Sequence, residues 1–226
     1  MAKEFEKIIS YPEIGSVMFR KSVRSRGISI RVHPLKGVSV TFPYIMPYAA
    51  AQAFFMLRRE WVLDTVAKQK EKYRDVHIPS SAEVEALRRK AKEELPGRLA
   101  ELASRYGFSY NRVAIKHNAT NWGSCSSKSN INLNLNIVRL PRVLQDYILL
   151  HELCHLRHQD HGHAFHLLLE HVLTDNLMKI LDEEHSTSQE DTSSLTMELA
   201  RKAAVSRAKY PIDHIMTKAI KSYPLV

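Results

Sequence analysis

Hydrophobic and polar residues alternate along the first part of the chain, with the spacing expected of half-buried β-strands. Turns rich in Gly and Pro separate four such runs, at residues 5–10, 16–21, 28–33 and 38–42. The last two runs alternate most strictly, so we expect them to be antiparallel strands with one face in the core. Two prolines, Pro43 and Pro47, then end the pattern. The pattern predicts an N-terminal antiparallel β-hairpin subdomain over residues 1–46.

The spacing of hydrophobic residues changes to three and four after Pro47, which indicates helix. Residues 47–74 form one such stretch, and its large apolar residues are expected in the core: Phe54, Phe55, Leu57, Trp61, Val62 and Val66. A second helix begins at residue 81 with Ser81 as its N-cap, runs to Arg105, and ends at Gly107.

A short strand at residues 113–115 and a polar loop around Trp122 come next. In residues 131–137, Ile and Leu alternate with Asn, so the asparagines share one face of a predicted strand. That face is either an edge that offers polar contacts to a bound chain or a simple exposed face. Helices are predicted from Pro141 and over residues 163–184, and the apolar spacing returns between residues 195 and 222. We therefore divide the rest of the chain into a catalytic domain, 47–184, and an acidic linker with a helical tail, 185–226.

Seven of the twelve histidines lie between His151 and His171. His151 and His155 are four residues apart, so a helix projects both rings from one face towards a single Zn²⁺. Glu152 can then serve as the general base for a water at the open metal position. A catalytic zinc usually has three protein ligands. A break in the helix near residues 159–162 would return His161 as the third.

Other third ligands remain open at this point. The alternatives to His161 lie on the same helix or the next one: His158, His163, His166 and Glu170. The cysteines, Cys125 and Cys154, are interpreted as structural, because neither has an assigned base that would make it a nucleophile.

The stretch from Asn121 to Phe165 resembles the YgjP-like metal-dependent hydrolases, relatives of the SprT and WLM zinc metallopeptidases. The shared features are a Trp-Gly-Ser-Cys loop at residues 122–125, an Ile/Leu–Asn strand, a Pro-started helix, and His-Glu-Leu-x-His with another His six residues later. The resemblance implies a zincin-like α+β core, ligands His151, His155 and His161, and Glu152 as base. This chain departs from the family at Asn121, where Arg is usual, and at His166, where Trp is usual.

The positive charge of the chain bears on whether the protein binds an anionic partner. The chain has a net charge of +9, and residues 1–110 hold 20 Lys and Arg against 12 Asp and Glu. The densest cluster, Arg20 to Arg31, fits either an anionic partner such as nucleic acid or a solvated surface. No interleaved aromatic residues accompany that cluster in the sequence. The predicted function is therefore a zinc metallopeptidase acting on peptides or proteins, with a DNA-associated protease or a non-catalytic zinc-binding adaptor as alternatives.

The remaining composition predicts the compartment. Two cysteines cannot form a disulfide framework and fit a reducing cytoplasm. The first residues lack the apolar segment of a secretory signal, and the longest apolar stretches are too short to span a bilayer. We therefore expect a cytoplasmic protein with no membrane partner. The oligomeric state is left open.

Overall fold

The computed structural model describes residues 5–33, 37–72, 74, 77, 79–187 and 190–225. The chain forms two compact units that divide between His77 and Ile78. This division differs from the predicted boundary between residues 46 and 47. The reason is that the helices after Pro47 share a hydrophobic core with the N-terminal strands. Taken together, the two units make a mixed α+β protein.

The first unit is a four-stranded sheet with two helices. The strands follow in the sheet order β1-β2-β4-β3. Their bounds are β1 Glu6–Tyr11, β2 Gly15–Ser22, β3 Ser29–His33 and β4 Gly37–Pro43, followed by α1 Tyr48–Leu57 and α2 Arg59–Lys72. The expected antiparallel pair β3–β4 is present, but β2 and β4 are parallel. The sheet is therefore mixed rather than a set of antiparallel hairpins, because alternation predicts which face is buried but not the direction of the neighbouring strand.

The core of the first unit contains only part of the predicted apolar stripe. Phe55 and Val62 are fully buried against β2 and β4. Leu57 and Trp61 are 84% and 50% exposed, so their predicted place in the core is wrong. Leu57 and Trp61 are four residues apart and share one helical face, whereas Phe55 and Val62 lie on the face that packs in the core, although the helix breaks at Arg58 between α1 and α2.

The second unit places a three-stranded sheet among helices. Its sheet order is β5-β7-β6. The elements are α3 Ser81–Tyr106, β5 Arg112–Lys116, β6 Gly123–Cys125, β7 Asn130–Asn134, a 3₁₀ helix Leu135–Arg139, α4 Arg142–Cys154, α5 His163–Thr187, α6 Glu190–Ala204 and α7 Pro211–Ile220. The helix α3 starts with a capping box of Ser80 and Glu83, so the N-cap is Ser80 and not Ser81. It ends at Gly107, whose φ of 66° is in the left-handed region that suits glycine.

The Ile/Leu–Asn segment differs from its prediction in two ways. Only its first half is a strand, and β7 pairs with β5 on one side and β6 on the other. The segment is therefore the centre of the sheet and not an edge that can receive a bound chain. Its asparagines are not a simple exposed face either, because Asn134 and Asn136 are buried.

The C-terminal segment is more helical than the sequence suggested. The acidic linker is predicted to begin at residue 185, but α5 continues to Thr187 and α6 begins at Glu190. Residues 188–189 lie outside the described residues. Leu199, Met216 and Ile220, from α6 and α7, belong to the core of the second unit. Among the described residues, no helix has the length and apolar character needed to cross a membrane.

Candidate metal centre

The helix α4 fixes the first two histidines in the core of the second unit. Most of its residues are buried, including Leu149, Leu150 and Leu153 on either side of the site. The backbone N–H of His155 donates to the carbonyl oxygen of His151 at 3.3 Å, so both residues are on one helical turn. Their ring centres are 4.9 Å apart. The i, i+4 spacing therefore projects both imidazole rings from one face of the helix, as the sequence predicts.

The chain leaves the helix after Cys154 and returns His161 to the same place. The Nε2 atoms of His151 and His161 are 3.1 Å apart. One ligand atom from each of His151, His155 and His161 lies within 4.8 Å of the others. His151 is half-buried, His155 buried and His161 exposed. This leaves one side of the cluster open to solvent.

The donor set fits a zinc ion. Two nitrogens bound tetrahedrally to one Zn²⁺ are roughly 3.3 Å apart, close to the distance between His151 and His161. Burial lowers the pKa of His151 to about 3 and also lowers the pKa of His155. Both imidazoles are therefore neutral, which is the form that binds metal.

A second contact orients His155. Its Nδ1 lies 3.0 Å from the carbonyl oxygen of His158, which accepts its hydrogen. That bond fixes the tautomer and leaves Nε2 with a lone pair for a metal. The ring of Phe165 then packs against all three histidines, with its centre 4.5 Å from His155, 4.7 Å from His161 and 5.0 Å from His151. This buried ring limits the rotation of the ligands.

Glu152 lies buried beside the histidines. Its Oε2 has no hydrogen-bond partner among the described residues. Burial raises the pKa of Glu152 to about 8, close to the value that favours proton transfer at neutral pH. A Cβ atom built on Gly123 would lie 2.5 Å from Oε1 of Glu152. Position 123 must therefore be glycine for the β6 backbone to approach this carboxylate so closely.

The other candidate ligands have different partners. His163 contacts the hydroxyl of Tyr210 through Nδ1, and His166 contacts Asp213 in the same way. Glu170 accepts hydrogen bonds from the backbone N–H groups at the start of α7. His158 contributes its carbonyl oxygen rather than its ring to the site. The geometry thus collects His151, His155 and His161 and separates them from these alternatives.

A network of asparagines supports the loop that carries Gly123. Asn134 donates from Nδ2 to the carbonyl oxygens of Asn118 and Asn121, at 2.6 and 2.9 Å. Asn121 donates in turn to the carbonyl oxygen of Gly123 at 2.9 Å. The sequence reasoning noted both the asparagine face and the unusual Asn121, but not this role. The signal was present, because asparagine is a poor strand residue that needs a reason to be buried.

The cysteines do not look like nucleophiles. Burial raises the pKa of Cys154 to about 12 and also raises the pKa of Cys125. Both side chains are therefore protonated thiols near neutral pH. This agrees with a structural role for each.

Comparison with protein families places this geometry in context. Residues 79–183 match the model described as YgjP-like, metallopeptidase domain. No curated protein and no solved structure matches the chain. The match begins just before α3, ends within α5, and includes every residue of the histidine cluster. It leaves out the first unit and the segment from residue 184 onwards.

A metallopeptidase domain implies a metal cofactor and a metal-dependent hydrolase. Residues 79–183 of the second unit therefore form a YgjP-like metallopeptidase domain.

Proposed function

We propose that this protein is a zinc-dependent peptidase with His151, His155 and His161 as metal ligands and Glu152 as general base. The observation that carries the proposal is the convergence of three imidazoles within 4.8 Å, next to a buried carboxylate. Histidine with one open position is the donor set of catalytic zinc. The match to a metallopeptidase domain supports the same reaction class.

The three histidines and Glu152 have different roles in the proposed hydrolysis. When bound, zinc would polarise the scissile carbonyl and lower the pKa of the attacking water. Glu152 takes a proton from that water and passes it to the nitrogen of the leaving amine. Its burial supports this task, because a carboxylate in a poorly solvated site is a stronger base than one in water.

The substrate is expected to lie along β6. This short strand pairs with β7 on one side, and no other strand pairs with it among the described residues. Its residue Gly123 lies against Glu152, so a peptide added to the free edge would pass beside the base. Adding a strand to an exposed edge is a common way for proteins to bind extended peptides. We therefore propose that the peptide binds along β6 and not along residues 131–137.

The test is peptide cleavage by the zinc-loaded protein and its Glu152→Gln variant. We expect the variant to keep its zinc and to lose roughly 10²- to 10⁴-fold in kcat/KM, the usual contribution of a general base. The matched control is Glu198→Gln, an exposed carboxylate on α6 that pairs with Lys202. It should retain full activity. Cleavage by Glu152→Gln at the wild-type rate would contradict the role of Glu152 as general base. A zinc-loaded wild type that cleaves no peptide would leave a zinc-binding adaptor as the better description.

A second function is favoured by the surface of the first unit, which combines cations with accessible aromatic rings. The half-exposed Trp61 lines an open cavity of about 270 Å³ together with Arg58, Phe54, Ile28 and Ile30. The ammonium group of Lys21 lies 5.3 Å from the ring centre of Tyr44. Aromatic rings beside cations can stack bases and bind the phosphates of single-stranded nucleic acid. We propose this surface as the tether of a DNA-associated form of the peptidase.

Fluorescence anisotropy with a labelled single-stranded oligonucleotide tests the tether. Binding should weaken steeply as salt rises and should weaken further in Trp61→Ala and Arg58→Ala. The control is Met178→Ala, which removes an exposed apolar side chain in the second unit. A protein that binds no oligonucleotide at low salt would remove this function and leave the peptidase proposal intact.

A further inference from the structure

The segment beyond the family match reaches the metal centre. Residues 210–213 lead into α7, and two of their side chains contact the start of α5, just after the third histidine ligand. The ring of Tyr210 stacks on the ring of His166, with centres 5.2 Å apart and planes at 21°. The Nδ1 of His166 lies 2.8 Å from Oδ2 of Asp213. The C-terminal segment thus contacts His166 twice: Tyr210 packs on one face of its ring, and Asp213 binds its Nδ1.

Asp213 is itself firmly fixed. It is 93% buried, since only 7% of its surface is exposed. Its other oxygen accepts a hydrogen bond from the hydroxyl of Tyr147 at 3.2 Å, and Tyr147 is one turn before His151 on α4. Its backbone N–H donates to Glu170 at 2.9 Å. A buried carboxylate with partners on α4 and α5 gives His166 a defined orientation relative to the metal ligands.

The second ring nitrogen of His166 is left for another molecule. The side chain keeps 31% of its surface exposed, and its ring centre is 6.3 Å from that of His161. Its Nε2 has no hydrogen-bond partner among the described residues. In the neutral ring, Asp213 accepts the hydrogen from Nδ1, so the lone pair is at Nε2. The site therefore presents a hydrogen-bond acceptor beside the metal ligands.

We infer that His166 contacts the substrate by accepting a hydrogen bond from the N–H group of the peptide bond that is cleaved. Asp213 is its positioning residue, and the C-terminal segment therefore completes the active site. This inference rests on the proposed peptidase function. It assigns a role to residues 210–213, which lie outside the matched domain.

The chemistry of hydrolysis explains why such an acceptor helps. The water oxygen forms a bond to the carbonyl carbon, the C–N bond breaks, and the water proton reaches the nitrogen through Glu152. The nitrogen keeps its own hydrogen throughout and becomes more positive as it gains the second one. A hydrogen bond from this N–H to His166 is therefore stronger in the transition state than in the bound substrate, which is the condition for accelerating the reaction. His166 neither gains nor loses a proton in this scheme.

The test uses two variants that separate the ring nitrogens. His166→Asn keeps an amide near the position of Nδ1, where it can still bond to Asp213, and deletes the group at Nε2. His166→Gln instead places an amide oxygen near Nε2. Each zinc-loaded protein is assayed on a peptide and on the matched ester, which has no N–H at the scissile bond. We expect His166→Asn to lose about tenfold in kcat/KM on the peptide, as for one lost hydrogen bond, and less than about twofold on the ester. His166→Gln should recover much of the peptide activity.

The opposite pattern would overturn the inference. If His166 only packs the C-terminal segment, His166→Asn should be at least as active as His166→Gln, and both substrates should be affected equally. Loss of zinc from His166→Asn alone would assign His166 to metal retention and would also contradict it. Asp213→Asn is also expected to lower the ratio of peptide to ester activity, but by less than His166→Asn does. An unchanged ratio in Asp213→Asn would contradict the positioning role of Asp213.

A binding measurement gives an independent readout. A phosphonamidate peptide, which keeps the N–H next to a tetrahedral phosphorus, should bind His166→Asn about tenfold more weakly than wild type in calorimetry. The phosphonate ester without that N–H should bind both proteins equally, and equal binding of both inhibitors would contradict the inference. Wild-type protein that cleaves neither substrate would defeat the proposed function itself, whereas a cleaving wild type with unaffected variants would defeat only the role of His166.

Discussion

The two units of this protein differ in what they bury. In the described part of the first unit, every buried residue is hydrophobic, and the charge lies at the surface. The described part of the second unit buries eight polar or charged residues: Asn134, Asn136, Asp146, Glu152, His155, Asn176, Thr196 and Asp213. Burying a polar group destabilises a protein unless the group is hydrogen-bonded. We therefore expect each buried polar group of the second unit either to have a hydrogen-bond partner or to have a functional role.

Most of these groups do have partners. Asp146 accepts hydrogen bonds from Arg98 and from Asn176, and Asp213 accepts them from Tyr147 and His166. Two side-chain atoms of these residues have no hydrogen-bond partner among the described residues: Oε2 of Glu152 and Oδ1 of Asn176. A buried polar atom without a partner points to a functional role. Of the two, only Glu152 lies next to a residue of the histidine cluster, and it is the carboxylate that the sequence motif indicates.

The largest expected loss of stability comes from Asp146→Ala in the second unit. The variant leaves Arg98, whose side chain is only 15% exposed, without its buried partner. We expect the free energy of unfolding to fall by about 3–5 kcal/mol, as for other broken buried ion pairs. Urea denaturation in a Trp61→Phe background measures this, because Trp122 is then the remaining tryptophan and reports on the second unit. A loss below about 1 kcal/mol would show that the buried pair does not hold α3 to α4.

A smaller loss of stability is expected from Gly123→Ala. The new methyl group would overlap Glu152, so the strand or the carboxylate must shift, at a cost of about 1–3 kcal/mol. Peptidase activity should fall about tenfold or more, because the base is displaced. The control is Gly97→Ala inside α3, where a Cβ meets nothing within 4 Å. It should stabilise the protein by about 0.5–1 kcal/mol, since alanine favours helix. Equal effects of the two substitutions would argue against the close approach of β6 to Glu152.

The smallest effect is expected in the first unit. Arg59 and Glu13 form an ion pair at 2.8 Å, with side chains 39% and 63% exposed. Glu13→Ala should change the free energy of unfolding by only about 0–1 kcal/mol, because water and salt weaken exposed pairs. Urea denaturation followed through Trp61 in a Trp122→Phe background gives the value. A loss as large as that of Asp146→Ala would erase the contrast between the two units.

The sequence predicts where the strands of this protein lie along the chain better than it predicts which strands pair and in which direction. Alternation located each strand of the first sheet to within one or two residues, because side chains on one face must all be apolar. It could not show that β2 and β4 are parallel, since the direction of a neighbour depends on distant chain connections. For the same reason, the apolar alternation of residues 131–137 suggested an edge strand, although β7 lies between two others.

The histidine cluster was predictable because its geometry is mostly local. His151 and His155 are one helical turn apart, and His161 follows after a short break, so spacing alone suggests their meeting. The contact of His166 with Asp213 spans 47 residues and depends on how α7 packs against α5. Nothing in the local pattern around Asp213 indicates that contact. Sequence reasoning therefore found the histidine cluster and missed the C-terminal contribution to its surroundings.

The measurement that tests the central claim most directly is the zinc content of the purified protein and of its His161→Ala variant. Both are purified without chelators and compared with His171→Ala, which removes an exposed histidine on the next helix. We predict one zinc per chain in the wild type and in His171→Ala, and a lost or much weakened zinc in His161→Ala. A wild-type protein that binds no zinc, or a His161→Ala variant that binds it as tightly as the wild type, would contradict the assignment of His151, His155 and His161 as the metal ligands.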